Sequence, residues 1–363
     1  MQNLARVMAV ATLMLVAGGT THAQERGTIE PPRKLTEEQA RVAASNYQRY
    51  CALCHGEDRQ GYVNDHAPSL RSKSLMRTGV PHEVLRALSY GREGTAMGGY
   101  LGEVGGPLTL DETWDLTYWL FWQSGAEDRV DIQKDMIEGD AARGEVLFRE
   151  NCTSCHGDEG QGVTAPAIGN RSALAHNSDE FIRYAIANGR EDTPMVAWKD
   201  ILSPQNIDDL TAFLRGRADG WKAQKVALKP LPTPDQYVIN KDGEDPDFEL
   251  RDGMHVSSKD LLAALQAGKR MVLLDTRVVS VWQRVHIEGS VPLPYYTKLD
   301  DVVRDLPKDV QIVAYCSCPR AAAEHVVNQL RRRGYTRTAV LYEGIFGWMN
   351  MGYPVARGEL APS

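Results

Sequence analysis

One five-residue pattern occurs twice in this chain, and it constrains the fold more than any other feature. Cys51-Ala52-Leu53-Cys54-His55 and Cys152-Thr153-Ser154-Cys155-His156 lie 101 positions apart. Two thiols three positions apart fall on one side of a helical turn, where each reaches a vinyl group of one haem and forms a thioether. The adjoining imidazole then projects beneath the iron as its fifth ligand. The spacing therefore predicts two covalently attached c-type haems. Two structural disulfides with incidental histidines are the plainer alternative. A zinc site fits less well, because neither cluster has a second ligand pair at finger spacing.

The surroundings repeat too. The same offset relates Tyr47 to Phe148, and Gly91-Arg92-Glu93-Gly94-Thr95-Ala96-Met97 parallels Gly189-Arg190-Glu191-Asp192-Thr193-Pro194-Met195. This is an internal duplication in which each copy ends on a methionine. Thr36-Glu37-Glu38-Gln39 reads as a capping box opening a helix that runs to the first cysteine, and Asp140 as the cap of its counterpart. Thr109-Leu110-Asp111-Glu112 and Ser203-Pro204 open later helices rich in Leu, Trp and Phe. Two small all-α domains follow. Domains of about 80–90 residues have thin cores, so each is expected to need its buried haem in order to fold stably.

On these residues, 36–126 and 138–217 resemble class I cytochrome c domains. The resemblance implies a haem held between an N-terminal helix, a C-terminal helix and a loop carrying the sixth, methionine ligand. Met97 and Met195 match that methionine. Pro68 and Pro166 match a proline whose carbonyl receives the proximal histidine's ring N–H, a bond that fixes the tautomer of a metal-bound imidazole. His66, His82, His176 and Met76 are rival sixth ligands, and the Gly98-Gly99 to Gly105-Gly106 stretch after Met97 reads as a loop. His/Met ligation would raise the potential relative to His/His and suit an electron acceptor or relay.

Arg6, the apolar run Val7 to Ala17 and the small-residue end Thr21-His22-Ala23 have the layout of a secretory signal cut after Ala23. An uncleaved anchor is the alternative, although the apolar run is short for a bilayer. Loss of Arg6 would take the formal net charge from -7 to -8, which argues against a nucleic-acid partner. No later stretch is apolar enough to span a membrane. A periplasmic protein with redox-protein partners is expected.

After Gly216 the pattern changes. Pro230, Pro232, Pro234 and Pro246 with acidic neighbours mark 218–253 as a linker. Beyond it, Ser257 to Gly268 reads as a capped helix and Met271 to Asp275 as a buried strand. Gln311 to Tyr315 and Ala339 to Leu341 read as further strands, with a helix over Ala321 to Arg333. Such alternation implies a largely parallel sheet covered on both faces, so the fold class is multidomain: two all-α domains and then one α/β domain. Cys316 falls at the carboxyl end of the second strand, where open α/β sheets place reactive groups. The following helix N-terminus is expected to lower its pKa, and Arg320 to add charge suited to an anionic sulfur species.

Residues 254–360 resemble a single rhodanese-like domain. The resemblance is carried by Leu274-Asp275-Thr276-Arg277, His286-Ile287-Glu288-Gly289-Ser290-Val291-Pro292-Leu293-Pro294, Tyr315-Cys316, Gly344-Ile345-Phe346-Gly347-Trp348 and Gly352-Tyr353-Pro354-Val355. It implies that Cys316 carries sulfane sulfur as a persulfide. The usual C-x-x-G-x-R loop is here Cys316-Ser317-Cys318-Pro319-Arg320-Ala321, with no glycine, the arginine one place early and one backbone N–H lost to Pro319. Thiosulfate-to-cyanide transfer is therefore not expected to be efficient. Cys318 adds a second thiol able to attack a persulfide or to form a Cys-x-Cys disulfide.

Three functional expectations follow. In the first, an inorganic sulfur compound is oxidised at Cys316 and electrons leave through the two haems, making the chain a sulfur-compound oxidoreductase or sulfurtransferase. In the second, the chain is a plain dihaem carrier whose last domain is a binding or sensing module. In the third, it is a haem-bearing subunit of a larger complex.

Overall fold

The computed structural model describes residues 32–124, 129–130, 132, 135–317 and 320–361. The expected signal and its cleavage point, like Cys318, lie outside the described residues. The amino-terminal half is helical: α1 (Glu37–Tyr50), α2 (Ala52–His55), α3 (Lys73–Thr78), α4 (Pro81–Tyr90) and α5 (Leu110–Gln123), then α6 (Ala141–Asn151), α7 (Thr153–His156), α8 (Arg171–His176), α9 (Asp179–Asn188) and α10 (Pro204–Gly216). The caps explain the starts. Thr36 and Thr109 each close a capping box, with Gln39 and Glu112 returning a side-chain bond, and Asp140 accepts from the Ala142 and Arg143 amides. A cap of this kind stabilises a helix by about 1 kcal/mol.

Each half-repeat packs its first long helix against its last. Tyr47 of α1 meets Trp119 of α5 with ring centroids 5.3 Å apart, and the matching Phe148 of α6 meets Phe213 of α10 at 5.3 Å. The cores are separate: one gathers Tyr47, Met76, Leu116, Leu120 and Phe121, the other Phe148, Leu174, Ile207, Leu210 and Leu214.

The carboxyl-terminal part comprises β1 (Val238–Ile239), β2 (His255–Val256), α11 (Ser258–Gln266), β3 (Met271–Asp275), α12 (Val279–Arg284), β4 (Val285–His286), β5 (Val291–Pro292), β6 (Ile312–Tyr315), α13 (Ala321–Arg332), β7 (Thr338–Leu341), α14 (Gly344–Asn350) and β8 (Ala356–Arg357). The main sheet runs β1-β3-β6-β7-β2 with β5 beside β3, and only β1 is antiparallel. Strand alternation splits the buried residues between two faces. Val272, Leu274, Ile312 and Ala314 pack with α13, while Met271, Leu273, Val313 and Tyr315 pack with α11 and α14. Cover on both faces accounts for the unbroken apolar run of β3.

The stretch read as a linker is part of this fold. Val238 and Ile239 pair with Val272 and Met271, Val226 bridges Leu360, and Asp245 is held by Arg270 at 2.7 Å. A two-residue strand has no periodicity to detect, and its prolines lie outside the paired positions. Sequence composition therefore registers only the turns.

Candidate haem sites and the Cys316 loop

The two Cys-x-x-Cys-His segments are near copies in space. Cys51 and Cys152 each end the preceding helix, with amides bonded to Tyr47 O and Phe148 O at 2.8 and 2.9 Å. Short helices α2 and α7 then carry the second thiol and the histidine. His55 Nδ1 lies 2.9 Å from Pro68 O, and His156 Nδ1 lies 2.9 Å from Pro166 O. Each bond fixes the ring and leaves Nε2 as the metal-facing nitrogen. Both histidines are buried, and burial lowers their pKa values, favouring the neutral imidazole that ligates iron.

The methionine loops repeat as closely. Arg92 N–H donates to Met97 O (2.7 Å), Thr95 Oγ1 donates to Arg92 O (2.7 Å), and Met97 N–H donates to Thr95 Oγ1 (3.1 Å). Arg190, Thr193 and Met195 make the same three bonds at 2.9, 2.7 and 3.1 Å. Gly91 and Gly189 open these loops at φ of 72° and 67°, and a Cβ at either would sit 2.4 Å from the methionine carbonyl oxygen. Only glycine fits such a turn.

These residues fit haem c. Cys51, Cys54, Cys152 and Cys155 are unbridged thiols. Each adjoining histidine has one nitrogen already held. Among the described residues, no group of three or more His, Cys, Asp or Glu could hold a bare metal ion.

The repeats grip one another across a pseudo-two-fold interface. Glu191, in the second methionine loop, accepts from Ser74 N–H (2.8 Å) and Ser72 Oγ (3.2 Å) at the start of α3. Reciprocally, Asn170 Nδ2, at the start of α8, donates to Glu93 O in the first loop at 2.5 Å. Tyr62 of the first repeat bonds Thr193 beside Met195.

Cys316 follows β6 and is 4% exposed. Asp275, paired with Tyr315 across the sheet, holds Arg277 through Nε (2.9 Å) and Nη2 (2.5 Å), and both side chains are buried. The expected thiolate is not what this environment favours. Burial pushes the Cys316 thiol up to about 12, Asp65 and Asp275 push the same way, and the Ala323 N–H opposes them only in part. Desolvation outweighs the helix N-terminus. Nor does Arg320 stand beside the sulfur as a spare charge. Its guanidinium lies 4.3 Å from the Tyr342 ring centroid and bonds Tyr342 O (3.2 Å) and Glu324 (3.4 Å).

Sequence reading missed the contacts between the C-terminal domain and the first repeat. Tyr295 Oη donates to Tyr50 O, one residue before Cys51, and Tyr296 meets the Tyr50 ring edge-on at 4.8 Å. Nothing local marks these residues, because their partners are far away in sequence.

Comparison with known proteins agrees with this geometry. A family model described as cytochrome c oxidase, cbb3-type, subunit III matches residues 38–120 and 139–214, and a rhodanese-like domain model matches 257–351. Cytochrome c6 of Euglena gracilis is 30% identical over 82 residues, covering 21% of this chain and 92% of that protein. The cbb3-type cytochrome c oxidase subunit FixP of Bradyrhizobium diazoefficiens is 26% identical over 178 residues, covering 47% of this chain. The chain spans only 58% of that relative's length. A solved thiosulfate sulfurtransferase from Pseudomonas aeruginosa aligns at 28% identity over 29% of this chain and 20% of its own, with a TM-score of 0.26. The chain belongs to the cytochrome c family, with a rhodanese-like domain at its carboxyl end. No helix among the described residues is long and apolar enough to cross a membrane.

Proposed function

We propose that this chain is an exported, periplasmic dihaem cytochrome that couples electron transfer to oxidation of an inorganic sulfur compound at Cys316. In this reading residues 1–23 are the export signal, 36–126 and 138–217 each bind one haem c, and 254–360 form the sulfur-handling domain. Cys51, Cys54 and His55 hold one haem and Cys152, Cys155 and His156 the other, with Met97 and Met195 as sixth ligands. Haem c bound there supplies reversible one-electron exchange. The protein's own groups do the rest. The Pro68 and Pro166 carbonyls hold the two imidazoles in one tautomer. The close-packed repeats keep the two sites in fixed relation, and burial shields the Cys316 sulfur from water.

The observation that carries the proposal is the shared interface of the Cys316 domain and the first Cys-x-x-Cys-His segment. Tyr295 reaches Tyr50 O, next to Cys51, and Tyr296 meets the Tyr50 ring edge-on at 4.8 Å. A sulfide molecule joining the Cys316 thiol as a persulfide releases two electrons and two protons, and two one-electron centres match that count. Incubating the oxidised, haem-loaded protein with sulfide, thiosulfate or polysulfide without air should add one sulfur atom to Cys316, read by mass spectrometry of its peptide. A peptide that stays unmodified with all three reagents would remove the sulfur half of the proposal.

A plain carrier is the second reading. It is favoured by the protonated, buried Cys316 and by an Arg320 occupied elsewhere. Under it, Cys316→Ser leaves electron transfer to redox partners unchanged.

A further inference from the structure

The methionine loop of the first repeat is closed by a different domain. Ser280 of α12, 4% exposed, donates from Oγ to Gly99 O (2.6 Å) and accepts from Gly99 N–H (3.0 Å). Those two bonds clamp the peptide two residues beyond Met97. Gly98 lies so near α12 that a Cβ there would sit 2.2 Å from Val278 Cγ1 and 3.0 Å from Val281 Cγ1. Met97 packs in the same apolar cluster as Val278 and Val281. Among the described residues the second repeat has no such cover at the equivalent place, for Val196, next to Met195, is 54% exposed.

The other end of the clamp is anchored beside Cys316. Thr276 donates from N–H (2.9 Å) and Oγ1 (3.0 Å) to Tyr315 O, the residue before the cysteine. Arg277 is locked onto Asp275, and α12 begins two residues later. A short chain of covalent and hydrogen bonds, buried except at Val279, therefore runs from the Cys316 strand to the Met97 loop.

We infer that the rhodanese-like domain, through Ser280 and Val278, positions Met97 at the first haem site and thereby sets that site's reduction potential. The inference rests on Met97 being the sixth ligand of that site. An axial thioether raises a haem potential, so a loop released from its clamp ligates less firmly and the potential falls. Ser280 and Val278 are positioning residues, and they bear on the first site alone.

The test uses the full, haem-loaded chain. Ser280→Ala should weaken the first site's share of the methionine–iron absorption band and lower one of the two midpoint potentials, leaving the other in place. Gly98→Ala should do the same by forcing a methyl group against Val278. If Ser280→Ala and Gly98→Ala lower the melting temperature but leave band and potentials unmoved, the contact is merely structural and the inference falls. Met97→Ala separates the premise from the inference. If that variant keeps the whole band, the ligand assignment fails and the inference with it. If it loses the band while the clamp variants do not, the inference alone is wrong.

Discussion

Asp275→Asn isolates the buried pair that supports the Cys316 side of the fold. Asp275 is wholly buried, Arg277 nearly so, and the carboxylate takes two guanidinium bonds and the Arg277 amide at 3.1 Å. The neutral amide keeps the shape but withdraws the buried counter-charge, leaving the Arg277 cation with only neutral partners: the amide oxygen, Val285 O and the Tyr315 ring. Removing one member of a buried pair costs about 3–5 kcal/mol, mostly as the penalty of the abandoned charge. With a urea slope of about 2 kcal/mol per molar, the unfolding midpoint of the C-terminal domain should fall by about 2 M. Circular dichroism across a urea series, referenced to the haem absorption of the other domains, reads this directly. Asp275→Asn/Arg277→Met removes the stranded charge and should regain much of the loss. A midpoint within about 0.5 M of wild type would refute the reasoning, since an exposed pair contributes no more than about 1 kcal/mol.

Three further outcomes are expected. With Cys318→Ser and both haems attached, alkylation of Cys316 should be slow at pH 8 and rise about tenfold per pH unit toward about 12, because the thiol stays protonated below that value. A plateau near pH 8 would contradict this. Asp209, bonded by Arg143, Gln205 and the Asp140 amide, titrates at about 2, so it stabilises the second repeat above its unfolded value near 4 and the benefit is lost as pH falls toward 2. Acid unfolding of Asp209→Asn should accordingly be less pH-dependent in that window. Gly189→Ala, which places a methyl 2.4 Å from Met195 O at a φ of 67°, should destabilise the second repeat by more than about 1 kcal/mol and disturb only its absorption band.

The fold was largely legible because its signals are local. Capping residues at Thr36, Thr109, Asp140 and Ser203, the two thiol pairs with their histidines, and the apolar runs of β3 and β6 all act within a few residues. What was not legible depends on distant partners. Gly98 and Gly99 read as loop residues, yet the missing side chain of Gly98 is what lets α12 of another domain approach, and that of Gly99 lets the loop pack on Ser89 and Tyr90. Arg320 was placed correctly in the chain, but only the fold brings Tyr342 and Glu324 to occupy it. The helix N-terminus suggested an acidic Cys316 thiol, whereas burial, a property of the assembled core, raises its pKa. The strand Val238–Ile239 was hidden among prolines because two residues carry no alternation.

The central claim is that sulfur chemistry at Cys316 feeds electrons to the c-type sites. Its most direct test follows the reduced c-haem band of oxidised protein, without air, as sulfide, thiosulfate or polysulfide is added to wild type and to Cys316→Ser. The account predicts that at least one of these reduces the wild type and that the variant stays oxidised. Equal reduction of both proteins, or of neither, would contradict it.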